Sequence, residues 1–111
     1  MNDGRFPWCI LVPRSPGLVE LGELTHEQRL LLILEIEIIS NALRKCFDVE
    51  KINVGALGNI VSQLHIHIVG RSQTDDAWPG PVWGFGNSQP YSDKFSKILC
   101  TKLWALCDSV I

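Results

Sequence analysis

Hydrophobic positions along the chain fall into short blocks separated by turn residues. Trp8-Cys9-Ile10-Leu11-Val12 is a short apolar run closed by Pro13 and preceded by the turn-forming Asn2-Asp3-Gly4, which predicts a buried strand over 8–12. After a loop with Pro16 and Gly17, Thr25-His26-Glu27-Gln28 has the form of a capping box: Thr25 as N-cap, Gln28 reaching back to its amide. A helix starting there can run to about Cys46, roughly 33 Å. Its apolar residues (Leu30 to Leu34, Ile36, Ile38, Ile39, Ala42, Leu43) occupy more than one narrow stripe, so it is expected to be covered on more than one side, with a subunit interface as the second cover. His26, in its first turn, is expected at the surface.

β-branched Ile52 and Val54 mark a strand over Lys51–Leu57, and alternation marks another over Val61–Val69. With Gly58-Asn59 between them they predict an antiparallel hairpin. From Arg71 to Pro90 the chain is rich in Asp, Gly, Pro and Trp. Trp78, Trp83 and Phe85 favour a packed, functional loop there. Ser92 can then cap a helix whose Phe95, Ile98, Leu99, Leu103, Leu106 and Val110 lie at core spacing. The expected architecture is α+β: an antiparallel sheet with two helices packed on it, in one domain spanning residues 1–111.

Composition narrows the function classes. At 111 residues with 46% apolar and 20% charged content, the chain suits one compact domain and not a disordered tail. Ten basic against twelve acidic residues leave a formal charge of −2, with no basic field to draw nucleic acid. The apolar run at Leu30–Leu34 meets Glu35 and Glu37 at once, so it falls short of the roughly 20 residues of a membrane span. No signal pattern opens the chain. Cys9, Cys46, Cys100 and Cys107 lack Cys-x-x-Cys spacing. On one helix Cys100 and Cys107 would stand about 10 Å apart, too far to bridge, and a reduced, cytoplasmic setting fits best.

The chemistry concentrates in Asn59-Ile60-Val61-Ser62-Gln63-Leu64-His65-Ile66-His67-Ile68-Val69. Alternation puts Gln63, His65 and His67 on one strand face and Leu64, Ile66 and Ile68 on the other. Two imidazoles about 6.7 Å apart beside an amide make a polar stripe, and a stripe of that kind is expected to border a cleft. Three readings compete: tolerated surface histidines; a His-x-His metal site, which needs further ligands; and a histidine nucleophile that attacks phosphorus. Asp75 and Asp76 lie in a loop and His26 heads a distant helix, so the metal reading lacks an obvious third ligand.

Asn53-Val54-Gly55, Gly58-Asn59 and Gln63-Leu64-His65-Ile66-His67-Ile68-Val69-Gly70-Arg71 together resemble the histidine triad (HIT) family. That family's pattern runs Asn-x-Gly, a short loop, Gly-Gln, His-x-His-x-His and a nearby Arg. Pro13-Arg14 and Trp78-Pro79-Gly80 are similar to family features as well, and the resemblance covers roughly residues 2–84. Gln63 stands where the first triad histidine would be, as in a divergent bacterial-type member. The loop between Gly55 and Gly58 is one residue shorter than usual, Asn59 replaces the usual Gln, and Trp8 sits where many members have a further histidine. The chain opens at Asn2-Asp3, where the family would already be past a first helix and strand that help form the purine pocket. The resemblance thus implies either a start codon placed too late or a member lacking part of its nucleotide site.

The resemblance also implies residue roles. His65 matches the nucleophile that takes the α-phosphorus of a nucleotide as a nucleotidyl-histidine intermediate, and His67 the histidine that hydrogen-bonds phosphate oxygens and the leaving group. Asn59 matches a phosphate-holding amide, Ser62 and Gln63 lie among phosphate or orienting contacts, Asn53 belongs to the nucleotide-binding set, and Asn2 or Asp3 corresponds to a ribose contact. An imidazole titrates near about pH 6.5, so a neutral nitrogen nucleophile is abundant at pH 7. Its second nitrogen needs a fixed acceptor, usually a backbone carbonyl, so loss of the first histidine need not abolish turnover. The implied activity is that of a hydrolase or transferase on nucleoside phosphoramidates or dinucleoside polyphosphates. The implied partners are a purine nucleotide and a second copy of the chain, with no metal and no cofactor. The alternative is a nucleotide-binding module with little or no turnover.

Overall fold

The computed structural model describes residues 1–109. Three strands form one antiparallel sheet in the order β1-β3-β2, with β1 at Trp8–Leu11, β2 at Lys51–Gly55 and β3 at Ile66–Arg71. Helix α1 spans His26–Cys46 and helix α2 spans Asp93–Asp108, which confirms the α+β architecture. Among the described residues no helix is long and apolar enough to cross a membrane.

Local sequence signals set the helix starts. Thr25 Oγ1 accepts from Gln28 N at 3.2 Å while Gln28 Oε1 accepts from Thr25 N at 2.8 Å, the reciprocal capping box expected. Ser92 accepts from Phe95 N in the same way at the start of α2.

The pairing register decides what the sheet's two faces carry. Ile10 and Gly55 flank His67, Trp8 and Asn53 flank Val69, and Lys51 lies opposite Arg71. These residues share one face. Cys9, Leu11, Ile52, Ile66 and Ile68 lie on the other, beneath α1, in a core with Leu24, Leu32, Leu43 and Leu64. Burying each such side chain contributes about 1.5–3 kcal/mol. The 72–90 segment folds over the first face, where Phe6, Val69, Ala77 and Val82 form a second cluster flanked by Trp8 and Trp83.

Arg71 anchors that segment. It is 2% exposed, and its guanidinium donates to Asp75 Oδ2 at 2.7 Å, Asn53 Oδ1 at 2.8 Å and the Gly80 carbonyl at 2.8 Å. A buried charge is tolerable only with such complete pairing. The stretch is therefore packed as far as Trp83, while Phe85 beyond it is 41% exposed.

Several sequence expectations need correction. Strand β1 ends at Leu11, leaving Val12 more than half exposed. Strand β3 begins at Ile66 and not at Val61, because residues 61–65 turn away from β2 and Leu64 N donates to the distant Leu18 carbonyl at 2.8 Å. It continues to Arg71, whose carbonyl accepts from Glu50 N. The hairpin relation of β2 and β3 holds, with residues 56–65 as a broad loop between them. Helix α2 is less buried than its spacing predicts. None of its described residues is buried; Leu103 reaches the core, whereas Phe95 and Ile98 are 47% and 56% exposed. Val110 lies outside the described residues. Between β1, α1 and α2 runs a largely apolar groove of about 890 Å³, so α2 stands off the sheet instead of closing on it.

Candidate active site

β3 enters the sheet directly after the broad 56–65 loop, and the two histidines straddle that transition. His65 is the loop's last residue and His67 the second of the strand. Gln63 and His65 therefore precede the strand and do not share a regular strand face with His67, a correction to the alternation reading. The rings nonetheless come together, 4.9 Å between centroids at 64°. Leu64, Ile66 and Ile68 go to the core as alternation predicts, 3% exposed or less.

Each imidazole has one nitrogen engaged. Nδ1 of His65 lies 2.7 Å from the Gln63 carbonyl oxygen. A carbonyl only accepts, so Nδ1 carries a proton, and in the neutral ring Nε2 is the nitrogen that presents a lone pair. Nδ1 of His67 lies 2.9 Å from Trp8 Nε1, an indole that only donates. His67 is 8% exposed. Burial pushes its pKa below the ordinary 6.5, and the neighbouring His65 and the Met1 amine push the same way. It is neutral at pH 7.

Around His67 stands an aromatic wall. Trp83 lies 5.8 Å from it at 89° and 6.0 Å from Trp8 at 82°, each pair edge to face. Gly55 makes this wall possible, since a Cβ there would sit 3.0 Å from Trp83 Cη2. The glycine of Asn53-Val54-Gly55 is thus explained by the approach of an aromatic ring. Trp83 Nε1 is buried without a hydrogen-bond partner among the described residues.

The other expected site residues divide. Ser62 and Asn59 are exposed on the same loop as His65, within a few residues of it, and Gln63 is half-buried beside it. Asn53 lies on the histidine face, but its Oδ1 is taken by Arg71 at 2.8 Å, leaving its amide nitrogen as the group able to reach a ligand. Asp3, to which the resemblance gives a ribose contact, is engaged within the chain. It is 1% exposed, and its carboxylate accepts from Arg5 Nε at 3.0 Å, Arg5 Nη2 at 2.8 Å and Gln89 N at 3.3 Å. Asn2 likewise accepts from Tyr91 N at 2.9 Å. Both tie the N-terminal turn to the 86–91 segment. Trp8 and Trp83 are the site residues that sequence reasoning left out. Trp8 was legible only as an oddity, a Trp at a position that resembled a histidine site. Its contact with His67 depends on a strand register that sequence does not display.

No three His, Cys, Asp or Glu side chains among the described residues are placed to hold a metal ion. His26 is exposed at the start of α1, as expected.

Comparison with known proteins places these features in a family context. The HIT domain family model matches residues 1–74. A histidine triad protein from Marinobacter aquaeolei VT8 superposes with a TM-score of 0.92 at 43% identity, over 100% of this chain and 81% of that one. A histidine triad (HIT) protein from Sinorhizobium meliloti 1021 gives 0.89 at 43% identity, over 95% and 78%. A histidine triad protein from Bradyrhizobium japonicum gives 0.90 at 37% identity, over 96% and 80%. None of the curated proteins matches the chain significantly.

Proposed function

Since the chain belongs to the histidine triad family, we propose that it is a nucleotide-binding hydrolase or transferase in which His65 becomes transiently nucleotidylated. The observation that carries this reading is the pair of opposite tautomers. The Gln63 carbonyl leaves His65 Nε2 as a lone pair, while Trp8 leaves His67 with its proton on Nε2. One ring is an electron-pair donor and its neighbour a hydrogen-bond donor, as in-line attack on phosphorus requires.

In the proposed reaction, His65 Nε2 attacks the α-phosphorus of a nucleoside phosphoramidate or dinucleoside polyphosphate. The N–P bond forms as the bond to the leaving group breaks, and its electron pair departs with that group. The Nε2–H of His67 hydrogen-bonds a phosphate oxygen or the leaving atom as charge builds there. Water, or another hydroxyl acceptor, then attacks phosphorus; the N–P bond breaks with its electron pair returning to His65 Nε2, and the attacking oxygen's proton balances the charge carried off by the leaving group. Asn59 and Ser62 are proposed to hold phosphate oxygens, Gln63 to orient His65 through its main-chain carbonyl, and Asn53 to contribute its amide to nucleotide binding. The ligand is proposed to be a purine nucleotide, and the working unit a homodimer in the cytoplasm.

The alternative, a module that binds nucleotide without turnover, rests on Gln63 replacing a triad histidine. The contact that orients His65 comes from the Gln63 main chain, however, so the side-chain identity does not remove it. The deciding experiment is intact mass after brief incubation with a labile adenylate donor. We expect a single adenylyl adduct on the wild type and none on His65→Ala, whose turnover should be abolished with the fold intact. Residual activity within about tenfold of wild type, only about 1.4 kcal/mol in the barrier, would remove His65 from the nucleophile's role.

A further inference from the structure

The hydrogen bond from Trp8 to His67 has a property that a histidine or carboxylate partner would lack. Imidazole partners can donate or accept and so follow a neighbour through either tautomer; an indole N–H can only donate. At 2.9 Å from Trp8 Nε1, His67 Nδ1 must offer its lone pair, and the neutral ring then carries its proton on Nε2. Ring rotation is opposed by packing. Trp8 and Trp83 stand edge-on to His67 at 5.6 and 5.8 Å, and Trp83 is wedged against Gly55.

We infer that Trp8 is a positioning residue that locks His67 in the Nε2–H tautomer, so that His67 acts as a neutral hydrogen-bond donor to the phosphate or leaving group and not as a stored imidazolium. The tautomer assignment stands on geometry alone; its use in turnover rests on the proposed nucleotidyl transfer.

The lock has a pH consequence. Protonating Nδ1 would set two N–H groups against each other, so the Trp8 contact opposes the cationic form. The titratable groups facing His67 act in the same sense: His65 from the preceding loop and the Met1 amine beside β1 both disfavour added positive charge. β2 and the 72–90 segment bring Gly55 and Trp83 to the ring, neither charged. Arg71, farther along the same face, is paired with Asp75.

The test is a histidine side-chain 1H–15N correlation on the full chain, titrated with pH, for wild type and Trp8→Phe. In wild type we expect an unprotonated Nδ1 and a protonated Nε2 on His67 at pH 7. In Trp8→Phe the Nδ1–H form should appear, and the titration midpoint should rise by roughly half a unit to one unit, the equivalent of one neutral hydrogen bond. With an adenosine phosphoramidate, kcat should fall ~10-fold with a smaller change in KM. A wild-type spectrum with Nδ1 protonated overturns the lock without recourse to any variant, so a poorly folding Trp8→Phe does not shield it. An unchanged tautomer and midpoint in a folded Trp8→Phe also overturn it, and a changed tautomer with unchanged kcat overturns the positioning role. If wild type shows the expected tautomer but turns over nothing, the proposed activity fails and the hold of Trp8 on His67 stands.

Discussion

At the scale of single residues, what matters is which atom of each side chain is already engaged. His65 is oriented by a main-chain carbonyl, so the Gln63 side chain is free to vary. Gln63→His should therefore leave turnover at or above the wild-type level in a steady-state assay. A large loss would show that the amide itself contacts phosphate, as an oxyanion-type donor does. Asp3 is the converse case, a residue whose side chain is itself held, by Arg5 and by Gln89 N. Hydrogen bonds from the Arg5 side chain hold its pKa down to about 2 from 3.8, against the opposing effect of burial. A carboxylate with a depressed folded-state pKa contributes stability above its unfolded value and loses it as pH falls through the folded one. The wild type should thus lose stability between about pH 4 and pH 2 more steeply than Asp3→Asn, measured as urea midpoints across that range. Equal slopes for the two proteins would mean that the Arg5–Asp3 pair is not what ties down the N-terminal turn.

Elements show how far local sequence reaches. Both helices begin where Thr25 and Ser92 place them, because a cap is a contact between residues three apart and is written in adjacent letters. β3 begins later than its alternation because Leu64 bonds to Leu18, a partner that pattern cannot reveal. For the same reason the side chains of His65 and His67 were legible as a candidate pair, while Trp8 and Trp83, joined to them by register and by a long segment folding back, were not. Helix α2 departs from its pattern for another reason. Periodicity reports that a helix has an apolar face, not that something covers it. Gly70, the last residue but one of β3, is a position where close packing sets the residue type. A Cβ there would stand 2.7 Å from Val49 Cγ2 and 3.3 Å from Pro7 Cβ, while Gly70 N donates to the Pro7 carbonyl. Val49 is stiff at χ1 and the proline ring is rigid, so neither yields readily. Gly70→Ala should cost roughly 1–3 kcal/mol in a denaturant titration, the cost of overpacking. An unchanged midpoint would show that Val49 moves aside freely.

For the molecule as a whole, the unresolved quantity is the apolar surface left in water. Leu30, Ile33 and Leu34 of α1 are 56%, 63% and 56% exposed, and Val54 on edge strand β2 and Leu57 just beyond it are 48% and 47% exposed. The α1 patch is confined to the helix's first half; farther along, the outward positions are Glu37, Asn41 and Arg44, all exposed. A polar outer face appears where the chain meets water, and its absence over residues 30–34 marks a place where something else does. Covering these side chains would contribute roughly 1.5–3 kcal/mol each, more than an isolated small protein forgoes without consequence. A two-fold axis satisfies the patch with itself, which is the basis of the proposed homodimer. Light scattering at micromolar concentration should return about twice the 12.4 kDa chain mass. Leu30→Glu combined with Leu34→Glu should reduce it to the chain mass while keeping the helical circular dichroism, because neither side chain belongs to the core formed by Leu32, Leu43 and Ile68. A wild type that is monomeric at that concentration and stable on heating would show that α1 tolerates its exposed face unaided, and the dimer would be wrong.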